Sequence, residues 1–172
     1  MQEPTTPEEV FELQRLRRAD PQRFLEIVNE WLREDPRNFR AYFKRHFVWS
    51  EMGEPRRALD DLDKVIELAP SQPHFFARGM VHRQLGEHEN ALMDFHRGEA
   101  MGKKEWQDHA ITLFFQADSY AQVGDEANAL DCCARLPDKF WTPGFEGAPG
   151  GDKAEIAQEL RHIAAEARRK PV

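Results

Sequence analysis

The sequence predicts an all-α chain, an array of antiparallel helix pairs closed at its C-terminus by a capping helix. Three observations carry that reading. The chain repeats itself: "MGEPRRALDDL" (52–62) lies over "LGEHENALMDF" (85–95), setting Gly53, Glu54, Ala58, Leu59 and Asp61 on Gly86, Glu87, Ala91, Leu92 and Asp94 at a step of 33 residues. In each later copy an apolar stretch at helical spacing stops at a Gly flanked by an acidic residue, then restarts as a second helical stretch. Helix-start signatures stand near both ends, Thr6 to Glu9 as a T-x-x-E box and Asp152 to Glu155 as a D-x-x-E box.

The first copy, approximately 5–38, is degenerate. Its first helix opens at the Thr6 box, with Pro7 at the first helical position. "ADPQRFLEIVNEWLREDP" (19–36) then lies over "GEPRRALDDLDKVIELAP" (53–70) at an offset of 34, keeping Pro21 over Pro55, Leu25 over Leu59 and Pro36 over Pro70. Ala19 stands where later copies have Gly, and Phe24 where they have Ala. The second copy (39–71) and third (72–104) align more fully, with Tyr42, Phe43, Arg45 and Val48 over Phe75, Phe76, Arg78 and Val81. The fourth, 110–136, repeats the turn and second helix as "VGDEANALDCC" (123–133) at a step of 38, the excess coming from an insertion around "GKKEWQ" (102–107). Each copy predicts a helix pair, because Gly accepts the positive φ of a tight turn and a small Ala lets the second helix lie close against the first.

Residues 137–151 predict a loop from their Pro and Gly content, although Phe140, Trp141 and Phe145 are too apolar for a passive linker. The capping helix is predicted over 152–170. Its stripe is Ile156, Leu160, Ile163 and Ala167, and Arg168, Arg169 and Lys170 complement the dipole at its end. Such a helix would cover the apolar face that the last pair of an array leaves open.

The order aromatic, small residue, aromatic, Gly, Ala, aromatic, Pro at a period of 33 or 34 resembles the tetratricopeptide repeat (TPR), in its bacterial version. In the second copy these are Tyr42, His46, Trp49, Gly53, Ala58, Leu62 and Pro70. In the third they are Phe75, Gly79, His82, Gly86, Ala91 and Phe95, with Lys103 at the Pro position; in the fourth they are Leu113, Ala117, Tyr120, Gly124, Ala129 and Cys133. The resemblance covers roughly residues 5–136 of a single predicted domain over 1–172. It implies a right-handed superhelical solenoid whose concave groove is lined by the first helix of each pair.

Carried over residue by residue, the groove positions are Arg40, Phe43, Phe47 and Ser50, then Pro73, Phe76, Met80 and Arg83, then Ile111, Phe114, Asp118 and Ala121. Phe43, Phe76 and Phe114 share one place in three successive copies, which implies an aromatic ladder. Its occupant could be a partner peptide, a second copy of the chain or the chain's own 140–145 loop. Arg40, Lys44 and Arg83 beside it favour a ligand with acidic residues next to apolar anchors. The Lys and Asn with which chaperone adaptors of this family grip a C-terminal carboxylate are replaced by Phe43 and Phe47, then Phe76 and Met80, so that clamp is not expected. "HFFARGMVHRQLGEHENALMDFHRGEAM" (74–101) also looks like the middle repeat of class II chaperones of type III secretion, the alternative reading.

Other chemistries find little support. "HENAL" (88–92) starts like H-E-x-x-H, but the second ligand position holds Leu92. The remaining His residues read as surface or packing positions, with His46 and His82 inside the repeat register. Cys132 and Cys133 are adjacent in a helix, where a mutual disulfide would be strained, and no cationic cluster flanks them to activate a thiol. A net charge of −7 disfavours nonspecific binding to phosphates, and no apolar run reaches membrane-spanning length. The N-terminal "MQEPTTPEEV" has neither the basic region nor the apolar core of a signal peptide. The predicted function is a noncatalytic, cytoplasmic scaffold or adaptor, without metal or cofactor, that binds an apolar or amphipathic segment of another protein. Self-association is the rival reading.

Overall fold

The computed structural model describes residues 6–101, 106–145 and 148–170, with the backbone alone for 106–109. Residues 102–105 of the insertion, Lys103 among them, and the side chain of His109 lie outside the described residues. The helices are α1 (Pro7–Ala19), α2 (Pro21–Glu34), α3 (Phe39–Glu51), α4 (Pro55–Leu68), α5 (Gln72–Gln84), α6 (His88–Met101), α7 (Trp106–Gln122), α8 (Glu126–Ala134) and α9 (Lys153–Ala167), with strands β1 (Trp141–Thr142) and β2 (Gly151–Asp152) between the last two. In chain order, two successive helices correspond to each predicted repeat. Where the sequence predicts one domain, the chain gathers into two compact units, 1–81 and 82–172, divided inside α5.

In the first unit α1, α2, α3 and α4 pack in chain order. The Thr6 box forms as predicted: the Glu9 N–H donates to Thr6 Oγ1 at 3.2 Å and the Thr6 N–H donates to the Glu9 carboxylate at 3.0 Å. Phe24, Ile27, Val28 and Trp31 of α2 build the core with Leu13, Ala41 and Val48. Each large apolar side chain buried there contributes about 1.5–3 kcal/mol. Gly53, Gly86 and Gly124 adopt φ of 74°, 74° and 81°, the left-handed conformation the turn reading requires. The first pair, which has Ala19 instead, uses a different turn: Asp20 alone separates α1 from α2, at φ −145°, and its carboxylate caps the Arg23 N–H at 2.9 Å. Ala58 is fully buried, as a small residue at the helix-helix contact should be.

A polar clamp ties three helices of this unit together. The Arg45 guanidinium of α3 forks onto the Asp61 carboxylate of α4 at 2.6, 2.9 and 3.2 Å and also donates to Asn29 Oδ1 of α2 at 2.6 Å. Burial pushes the Asp61 carboxyl above its usual value, and Arg45 opposes that shift.

In the second unit α7 packs against α6, α8 and α9. The α9 capping box closes, with the Ala154 and Glu155 N–H groups donating to Asp152 and the Asp152 N–H to Glu155. Ile156, Leu160 and Ala164 are fully buried against α7 and α8, so α9 covers the last pair. Lys153 Nζ donates to the Ala134 and Leu136 carbonyls at 2.7 and 2.8 Å, capping the end of α8.

The predicted 137–151 loop contains an element that the sequence pattern did not announce. β1 and β2 pair antiparallel, Trp141 with Asp152 and Thr142 with Gly151, so the segment forms a strap with a pinched neck. A Cβ on Gly150 would stand 2.9 Å from the Pro143 carbonyl, so only glycine lets the two sides approach this closely.

Candidate interaction face

Arg40, Phe43, Lys44, Phe47 and Ser50 recur at three- and four-residue steps along α3 and therefore share one face of it. Phe43 is half-buried. Its ring lies 4.7 Å from His46, 5.4 Å from Phe47 and 4.8 Å from His74 of α5. His46 and Phe47 stack more closely, at 3.9 Å, yet His46 is buried while Phe47 remains 43% exposed. Cations border the rings: the Arg17 guanidinium of α1 sits 5.6 Å from the Phe47 centroid and pairs with Glu51, and Arg40 sits 5.6 Å from Phe39. Phe76 and Met80 are half-buried on α5 within the same unit.

Two histidines pack within the face. His74 Nδ1–H donates to the Ala69 carbonyl at 2.6 Å, which fixes the ring beside Phe39 and Phe43. His46 stands at the register position held by Gly79 and Ala117 in the next two repeats. Burial lowers its pKa to about 4, with smaller contributions in the same direction from His74 and Arg17 against a hydrogen bond to the Phe43 backbone. The ring is therefore neutral at pH 7.

Ile111 stays 44% exposed, but three other predicted groove residues are placed differently. Phe114 and Asp118, expected on an open groove, are buried at 1% and 0% exposure. Phe140 and Phe145 of the strap lie 5.7 and 6.0 Å from the Phe114 ring, and Phe145 also lies 5.4 Å from Phe115. Of the three occupants weighed for the ladder, the chain's own loop covers this rung. Arg83, expected to greet a ligand, pairs instead with Asp118 and lies 4.5 Å over Phe115, its side chain 7% exposed. Burial raises the Asp118 carboxyl, with Arg83 and His88 opposing. Sequence reading missed this pair, although opposite charges at groove positions of consecutive repeats were a usable signal. It also missed Arg17, Phe39 and His74, which lie outside the groove register but complete the α3 cluster.

Among the described residues no group of three His, Cys, Asp or Glu side chains could hold a metal ion, and no helix is long and apolar enough to cross a membrane. Cys132 and Cys133 are free and buried; burial pushes Cys132 up to about 11, away from thiolate chemistry.

No family model matches the chain. Among curated proteins, human "Tetratricopeptide repeat protein 6" is 25% identical over 93 residues, which is 53% of this chain but only 18% of that protein. Among solved structures, MamA protein is 17% identical, with a TM-score of 0.66 over 91% of this chain and 78% of that one. A thermophilic TPR protein in Thermus thermophilus is 20% identical, with a TM-score of 0.50 over 93% of this chain and 89% of that one. The chain has an all-α, TPR-like helical-repeat fold.

Proposed function

We propose that the chain is a noncatalytic protein-interaction scaffold that captures an apolar or amphipathic segment of another protein on the α3–α5 face. Phe43, Phe47, Phe76 and Met80 are its anchors, and Arg40 and Lys44 stand at its rim. The observation that carries this reading is Phe47, a large apolar ring left 43% exposed beside a half-buried Phe43, on the helix face that the TPR resemblance assigns to the groove. The repeat similarity to TPR proteins supports a binding scaffold, and the buried, free cysteines are compatible with a reducing, cytoplasmic setting. Phe114 and Asp118 are held inside the second unit and do not belong to this surface.

The test is affinity capture from lysate of the source cells with wild type and a Phe47→Gln/Met80→Gln variant, bound proteins being identified by mass spectrometry. Neither substitution touches a fully buried side chain, and circular dichroism confirms equal helicity. A groove of this kind binds at about micromolar Kd, and loss of a central aromatic weakens it by roughly thirtyfold. A partner retained only by wild type supports the reading. Equal recovery by both baits, or none by either, removes the α3–α5 face from consideration.

A further inference from the structure

We propose that the segment taken by the α3–α5 face is acidic and anchored by an aromatic side chain, an inference that rests on the interaction reading above and names the chemistry of the partner.

The second unit supplies a worked example of how such a position is filled. Phe114 stands ten residues before the turn glycine Gly124, as Phe43 stands ten residues before Gly53. On the α7 rung the occupant is a Pro- and Gly-rich segment that delivers two rings, Phe140 and Phe145, to Phe114 and Phe115. On the α3 rung the neighbours of Phe43 are its own Phe47, His46 and His74, and Phe47 still faces outward. The same rung therefore accepts aromatic rings in one unit and offers a free aromatic surface in the other. An aromatic anchor adds edge or face contacts beyond the area it buries, which an aliphatic one does not.

Charge selects the rest of the ligand. In a chain of net charge −7, Arg40 and Lys44 stand on this face with no carboxylate within ion-pair distance among the described residues, and the Arg40 guanidinium rests beside the Phe39 ring. Arg17, at the other end of the cluster, is already neutralised by Glu51. His46 is neutral at pH 7 and adds no charge to the face. The free charge of the face is thus positive and lies in the N-terminal half of α3. Lys44 and Arg40 precede Phe47 by roughly 4.5 and 10.5 Å of helix rise. An extended peptide advances about 3.3 Å per residue, so carboxylates one to three positions from the aromatic anchor meet both cations.

The experiment pans a random dodecapeptide library displayed on phage against three forms of the full chain: wild type, the charge-reversed Arg40→Glu/Lys44→Glu and the anchor-deleted Phe47→Gln. Circular dichroism verifies that all three are folded. Wild type should enrich peptides with an aromatic residue flanked within three positions by Asp or Glu. The reversed form should switch to aromatic peptides flanked by Lys or Arg, and bind the wild-type peptides more weakly by roughly tenfold or more, the size of two exposed ion pairs turned repulsive. Phe47→Gln should enrich neither class. Aromatic peptides with the same flanking charges from wild type and the reversed form would overturn this inference while leaving the interaction reading intact. Failure of folded wild type to enrich any peptide would overturn both.

Discussion

Protonation of His46 should cost this chain stability in mild acid. The ring is buried between Phe43 and Phe47, and its pKa falls from 6.5 to about 4. Above pH 6.5 the side chain is neutral in both the folded and unfolded states and contributes no pH dependence. Below pH 6.5 the unfolded chain takes up a proton that the folded chain refuses, so stability falls as pH drops, until the folded ring itself titrates near 4. At about 1.4 kcal/mol per pKa unit the full loss is about 3 kcal/mol, of which about 2 kcal/mol is gone by pH 5. The perturbation is His46→Gln, which removes the titration while keeping a polar side chain of similar size. Urea unfolding of both proteins at pH 7, 6 and 5 isolates the effect as a difference of slopes, because the carboxylates are common to both. Wild type should lose about 2 kcal/mol more than the variant between pH 7 and pH 5. Parallel losses, or a His46 ring that titrates near 6.5 by NMR, would refute the claim that burial among the α3 aromatics holds it neutral.

Two further substitutions probe the frame that carries the face. Arg45→Met strands the Asp61 carboxylate, 3% exposed, without its fork partner, and should destabilise the first unit by about 3 kcal/mol in chemical denaturation; the loss should shrink in Arg45→Met/Asp61→Leu, where no buried charge is left. Gly53→Ala should cost about 1–2 kcal/mol, since the positive φ is the whole penalty and no atom lies within 4 Å of the added Cβ. Gly124→Ala should cost up to about 1 kcal/mol more, because its Cβ would stand 3.0 Å from Arg168 Cγ and disturb the side chain that bonds the Gly124 carbonyl and Glu126. Equal melting shifts for the two glycine variants would mean that Arg168 yields freely.

The parts of this fold that could be read from sequence are those fixed by local backbone chemistry. A turn at positive φ needs Gly53, Gly86 or Gly124 whatever surrounds it, and a close helix contact needs Ala58, Ala91 or Ala129, so the repeat announces itself as a spacing. The boxes at Thr6 and Asp152 are equally local and formed where expected. The first turn shows the limit of that reading. With Ala19 in place of Gly, the chain kept a helix pair by shrinking the connection to Asp20 and capping α2 with its side chain, a solution the later copies do not foreshadow.

What the sequence could not supply was coverage. Repeat register assigns Phe43 and Phe114 to the same side of equivalent helices, and it does not say which of them a partner, a second copy or the chain's own 140–145 loop would cover. Phe114 lies under Phe140 and Phe145, which reach it through a strap with no periodicity and a neck that closes only because Gly150 has no side chain. Arg83 then loses its role as an exposed cation, because once α7 is covered the stable partner for its charge is Asp118. Register thus fixes where a side chain points, and a distant, irregular segment decides whether anything is on top of it. This shifts the interaction face from a three-rung ladder to the α3–α5 cluster, where the aromatic ring, the free cations and the neutral buried histidine occur in one unit.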